Sequence, residues 1–172
     1  MKITSREAVR TAFSQVGYKA EKGKKNKYAA WIDSHYPTFY NGKKNGADWC
    51  DVFVDFCVLW NTKNAKDAEH ILCQPAKSCG AGCKYSYQYY KSKHRNTSIG
   101  HYGDQIFLNV KQKDGSYKKC AHTGIVYKVD NKYVYYVAGN EGGGNGEVKK
   151  HKLLKTSKNI YAYGRPKYTD TV

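Results

Sequence analysis

The chain has 172 residues, 40% of them hydrophobic and 15% aromatic, enough to build a buried core and too apolar for a disordered tail. Thirty basic against fourteen acidic side chains leave a formal charge of +16. Such a charge draws a protein toward polyanions: nucleic acid, anionic membrane, or the anionic polymers and carboxylated peptides of a bacterial wall. The first ten residues, Met1 to Arg10, hold no apolar stretch of the kind a signal peptide needs, and no run approaches the roughly 18–20 apolar residues of a membrane-spanning helix. Six cysteines in a chain of this length do not suggest a disulfide-dense secreted scaffold. These features lead to the expectation of one domain over 1–172, monomeric, made in the cytoplasm and not inserted in a membrane.

In chain order, a first helix is predicted from Ser5 to about Val16, with Ser5 as its cap and Ala8, Val9, Ala12, Phe13 and Val16 at helical spacing. A second, short helix is predicted near 28–35, stopped by Pro37. The third runs from Asp48 to about Trp60. Asp48 is its expected N-cap, with Asp51 three residues on as a variant capping box, and Val52, Phe53, Phe56, Leu59 and Trp60 form its buried stripe. Residues 61–103 are less patterned, apart from a helix over 83–93. From Asp104 the period becomes two. Strands are predicted over 105–110, 122–129, 132–138, 148–153 and 159–164, with turns at Lys113 to Ser116 and at Asp130-Asn131. Helices first and antiparallel strands second describe an α+β fold, with N-terminal helices packed on an antiparallel β-sheet.

Cys50 stands where the polar stretch Asn41 to Gly46 has given way to an apolar helix. There, unpaired backbone N–H groups and the helix dipole favour a thiolate. His122 opens a strand-like run beside the small residues Ala121, Thr123 and Gly124, which leave room for a substrate, whereas His35, His70, His94, His101 and His151 fall in loops or polar contexts. Cys57, two turns beyond Cys50, belongs to the apolar stripe. A thiol, an imidazole and a polar group at Asn140, in that order, are the parts of a cysteine hydrolase.

Five blocks carry a resemblance: Asp48-Trp49-Cys50-Asp51-Val52-Phe53-Val54, Gly103-Asp104-Gln105-Ile106-Phe107, His122-Thr123-Gly124-Ile125-Val126, Val137-Ala138-Gly139-Asn140 and Tyr163-Gly164-Arg165-Pro166. In this combination and order they resemble the CHAP family, the cysteine, histidine-dependent amidohydrolases/peptidases of bacterial and phage peptidoglycan hydrolases. The resemblance implies a papain-like α+β fold and an endolysin-like enzyme. It also implies cleavage of an amide in the wall's stem peptide, cross-bridge or N-acetylmuramoyl–L-alanine link, and action on the wall after release from the cell. It places Cys50 as nucleophile, His122 as general base and Asn140 as the residue that orients the imidazole. Trp49, Thr123, Gly139 and Glu141, the neighbours of that trio, are assigned to substrate binding. Relatives often carry glutamate where this chain has Ala138. Glu141 is the other candidate orienter, but on a continuing strand its side chain is expected to point elsewhere.

Bacterial peptidoglycan is therefore the expected partner, and no cofactor or metal is expected. Cys73, Cys79, Cys83 and Cys120 lack the short Cys-x2-Cys spacing of structural zinc sites. The loop before Cys50 carries Lys43 and Lys44 and few carboxylates, a poor calcium cage. Gly142 to Gly146 lacks the Gly-Lys-Ser/Thr ending of a phosphate loop and is read as a mobile loop beside the cleft. The lysines are scattered and no recognition motif supports nucleic-acid binding. The competing reading is a non-catalytic wall-binding or structural protein with the same fold.

Overall fold

A computed structural model describes residues 2–80 and 82–171. Among these, the helices α1 (Ser5–Ser14), α2 (Lys27–His35), α3 (Cys50–Thr62), α4 (Ala65–Leu72) and α5 (Cys83–Ser92) precede the strands β1 (Asn96–Thr97), β2 (Gln105–Lys111), β3 (Tyr117–Val129), β4 (Tyr133–Glu141), β5 (Glu147–Leu154) and β6 (Ile160–Gly164). The strands form a six-stranded sheet in the order β1-β6-β2-β3-β4-β5, with every neighbouring pair antiparallel. This is the expected α+β architecture, compatible with a papain-like arrangement.

The principal core lies between the helices and one face of the sheet, where Val52, Phe53 and Phe56 of α3 meet Ile125, Val137 and Val148. The opposite face carries a second cluster, Ile106, Leu108, Val126, Val134, Tyr136, Ala138 and Tyr163. α3 is buried on all sides from Cys50 to Leu59, not along one stripe, and Trp60 is 45% exposed instead of closing that stripe. A helix with apolar residues all round is a central helix, and α1, α2, α4 and α5 all pack against it along with β3 and β4.

Several boundaries differ from the sequence expectation. α1 is capped by Thr4, which forms a full capping box with Glu7, while Ser5 is the first helical residue and bonds to Asp170. α4 lies in the stretch that looked unpatterned. Its buried residues are Ala68, Ile71 and Leu72, with Ala65 packed against the same core, and Asn64 caps it through the backbone N–H of Asp67. β3 starts at Tyr117, which puts His122 inside the strand instead of at its opening.

The blocks Gly103 to Phe107 and Tyr163 to Pro166 meet in space. Arg165 holds the fully buried carboxylate of Asp104 with two bonds of 3.1 and 3.0 Å, a fork-to-fork pair that ties the start of β2 to the end of β6.

At Gly139 strand β4 packs closely on Trp49 and on Phe53 of α3. A Cβ at this position would lie 2.5 Å from Cζ3 of Trp49 and 2.9 Å from Cβ of Phe53. Gly139→Ala is therefore expected to overpack the helix–sheet junction and to cost about 1–3 kcal/mol. A thermal melt should show this as a Tm lower by roughly 2–12 °C; an unchanged Tm would mean that the junction has room.

Candidate active site

Cys50 is the first residue of α3. The N-cap position is Trp49, and no side chain caps the helix. Asp48, the expected cap, instead pairs with Lys24 and accepts a 3.2 Å bond from Asn140. Asp51 turns inward, where Ser86 and Gln105 donate to its two oxygens at 2.6 and 2.9 Å. Asp51 adjoins the thiol in sequence and Asp48 lies two residues before it, and neither is spent on capping. Burial pushes the Asp51 carboxyl up to about 7, helped by the charge of Cys50 and opposed by the Ser86 and Gln105 bonds. Below that pH it is mainly neutral and adds little repulsion to a thiolate beside it.

His122 on β3 lies between Cys50 and Glu141. Its Nε2 is 2.7 Å from Oε1 of Glu141, and the ring lines the cleft beside the Cys50 thiol, close enough for each to stabilise the charged form of the other. With Nε2 engaged by the carboxylate, Nδ1 is left for the sulfur. Burial alone would lower the imidazole, but the bonds to Cys50 and Glu141 and their negative charges push it up to about 10. Burial likewise opposes the Glu141 carboxylate, but His122 and His151 outweigh it and hold it at about 2. The Cys50 thiol moves well below its ordinary range: a hydrogen bond from Cys83 lowers it most, burial opposes, and His122 and the Asp51 backbone N–H lower it further. Thiol, imidazole and carboxylate thus follow one another, each favouring the charged form of the next, an arrangement that promotes a thiolate–imidazolium pair.

The partner of His122 is thus Glu141 and not Asn140. The cause is one extra residue in β4. Ala138 pairs with Lys149 while Glu141 pairs with Glu147, so three steps on β4 oppose two on β5. Asn140 takes up the irregularity with φ = 57°, the mark of a β-bulge. Simple alternation would have placed Asn140 on the His122 side of the sheet; the bulge puts Glu141 there instead. The Asn140 side chain reaches Asp48 at the rim.

The residues assigned to substrate are placed differently as well. Trp49 is fully buried, with Nε1 donating to the Asn145 carbonyl at 3.1 Å. Thr123 is fully buried and donates to the Ile106 carbonyl. Gly139 packs under Trp49, and Glu141 is committed to His122. None of the four offers a free group to a ligand. The surface that does so is a cleft of about 400 Å³ whose lining includes Asp48, Cys50, Cys83, Lys84, Tyr85, Lys118, His122 and Asn140. The glycine loop beyond Glu141 is anchored: the Asn145 side chain accepts from the Gly23 N–H, and Ala20 donates to the Gly146 carbonyl.

Two contributors escaped the sequence reading. His151 on β5, read there as a residue of polar surroundings, stacks on Tyr136 and brings Nε2 to 3.2 Å from the same Glu141 oxygen, off the line of a hydrogen bond. Cys83 stands 3.5 Å, sulfur to sulfur, from Cys50. Its sequence carried the signal that singled out Cys50, a cysteine at the junction of a polar loop and a helix. All six cysteines are free thiols, and Cys73, Cys83 and Cys120 share one buried cluster with Cys50.

No family model and no curated protein matches the chain. Two solved structures share its fold. The crystal structure of Ly7917 aligns with a TM-score of 0.52 at 15% identity, and that of Ly7917 with the hydrolyzing product of MDP with a TM-score of 0.57 at 14% identity. Each alignment covers 95% of this chain and 62% of the other, so the chain spans under two thirds of these neighbours' length.

The line of charges makes a prediction about the imidazole. Removing the negative charge beside an imidazolium disfavours the protonated form, so Glu141→Gln should lower the titration of His122 from about 10 by roughly 1–3 pH units. Asn140→Ala should leave it in place. Following the ring protons of His122 by NMR across pH distinguishes the two; a shift in the Asn140 variant alone would return the orienting role to asparagine.

Proposed function

We propose that the chain is a cysteine amidohydrolase of the CHAP type that cleaves an amide of bacterial peptidoglycan. The observation that carries the reading is a single imidazole that lines an open cleft beside the thiol at the start of α3 and is hydrogen-bonded on its other nitrogen to a half-buried carboxylate. The five-block resemblance agrees with it. So does the neighbour bound to the hydrolyzing product of MDP, a peptidoglycan fragment.

In this mechanism the Cys50 thiolate attacks the carbonyl carbon. The backbone N–H groups at the start of α3 face the negative charge that develops on the carbonyl oxygen, where fixed donors act without reorganising. The amide C–N bond breaks as His122 gives its proton to the departing amine, leaving a thioester on Cys50. His122, now neutral, takes a proton from water, which attacks the thioester and returns Cys50 to the thiolate. Glu141 fixes the ring and stabilises its positive charge throughout.

The protein's charge of +16 suits an anionic wall, to which it would be drawn by long-range attraction. The lysines at the cleft, Lys84 and Lys118, extend that preference to the substrate itself.

Incubation with purified peptidoglycan, followed by mass spectrometry of the released fragments, tests the assignment. Hydrolysis of an amide exposes a new amine and leaves the glycan strand intact. A free N-terminal alanine on an intact stem marks an amidase, and a cut within the stem or bridge marks an endopeptidase. Cys50→Ser should abolish release while the protein still folds, and His122→Ala should lower it by about 10²–10⁴-fold. Retention on walls with no fragment released by the parent would instead favour the non-catalytic binding protein.

A further inference from the structure

Three of the five α-helices begin with a side-chain cap. Thr4 accepts from Glu7, Asn26 from Ala29 and Asn64 from Asp67. α3 and α5 have no such cap, with Trp49 and Gly82 at their N-cap positions. Each instead starts on a cysteine, Cys50 and Cys83, and the two sulfurs meet at 3.5 Å in a buried cluster with Cys120, Phe107 and Tyr90. The first turn of a helix leaves backbone N–H groups unpaired and favours an anion. Two uncapped helix starts therefore converge on one pair of thiols, and one negative charge between them serves both.

The two sulfurs are not equivalent. Cys50 has the His122 imidazole beside it, while Cys83 has Cys50 as its hydrogen-bond partner and is otherwise packed among apolar groups. The charge therefore belongs on Cys50 and the proton on Cys83. The charged and titratable groups around the pair come from four directions: Asp48 and Asp51 from α3 and its approach, Lys84 from α5, Lys118, Cys120 and His122 from β3, and Glu141 from β4 behind His122. Of all these, Cys83 is the side chain in hydrogen-bond contact with the Cys50 sulfur, at 3.5 Å, while His122 and the Asp51 backbone N–H also favour its charged form.

We infer that Cys83 is a positioning residue for the nucleophile, donating its S–H to the Cys50 sulfur and tying the starts of α3 and α5 to a single negative charge. The role rests on Cys50 being the nucleophile proposed above. A hydrogen bond to an ionised group is stronger than a neutral one, and burial strengthens it further. It also restrains the sulfur, so that attack proceeds with the thiolate already oriented.

The test reads the thiolate directly and needs no substrate. The rate of iodoacetamide alkylation at Cys50, located by peptide mass spectrometry, is followed against pH in the parent, Cys83→Ala and Cys83→Ser. Loss of the donor should raise the midpoint of the Cys50 profile by about one pH unit. Serine, which keeps an O–H, should hold the midpoint near that of the parent. A role limited to packing would lower Tm in both variants and leave both midpoints unmoved, which overturns the inference. If Cys83→Ala does not fold, Cys83→Val against Cys83→Thr gives the same comparison at nearly equal volume. The two proposals fail separately: an unmoved midpoint in a protein that releases wall fragments removes the role of Cys83 alone. A moved midpoint in a protein that releases none removes the wall-hydrolase assignment and leaves the thiol pair.

Discussion

A helix buried on every side has to satisfy each polar group it carries, and α3 carries two carboxyls. Asp51 is held by Ser86 and Gln105, and Asp55 by Tyr40 at 2.9 Å and by Gln74 at 2.5 Å. Unsatisfied, either group would cost several kcal/mol in the interior. Satisfied, they act as four directional ties between α3 and its surroundings: α5, β2 and the loops on either side of α3 and α4. Apolar packing alone would let a helix slide or turn by a fraction of an ångström. Hydrogen bonds of fixed geometry do not, and Cys50 sits one residue from the first of them. The position of the thiol against His122 thus follows from how the interior of α3 is wired.

The arrangement of charge around that thiol follows one rule, an alternation of sign. With the proton on Cys83, a charge on Cys50 faces the His122 imidazole, which in turn faces the Glu141 carboxylate, whose Oε1 also lies 3.2 Å from His151. Each member makes the next more favourable in its charged form. The nearby groups that would break the alternation are removed from it: Asp51 faces away and is largely neutral below pH 7, and Asp48 is neutralised by Lys24. A depressed thiol in a buried site thus needs its repulsive neighbours switched off as well as attractive partners supplied.

Much of this was legible in the sequence. The change from helical to alternating periodicity marks the α+β division, because side-chain spacing on a helix or strand is a local property of the backbone. Cys50 and His122 are visible for the same reason, since a polar-to-apolar junction and a strand with small neighbours are local signals. Cys83 carried a similar signal and was passed over only because its partner lies 33 residues away. α4 was missed because two of its four apolar residues are alanines, which mark a helical face only weakly.

What tertiary structure alone decided is which side chains meet. Alternation along β4 assigns Asn140 to the side of His122, and one bulged residue transfers that place to Glu141; a bulge is set by register against β5, which no local pattern contains. Trp49, beside Cys50 in sequence, is buried against Gly139 because a helix and a sheet must touch somewhere, and they touch where the glycine leaves space. Residue types, their periodicity and the chemistry available to the chain were determined by the sequence by itself. The pairing of thiol with thiol and of imidazole with carboxylate depended on contacts between segments 19 to 33 residues apart, whose geometry exists only once the sheet has registered and α3 has been packed and hydrogen-bonded into place.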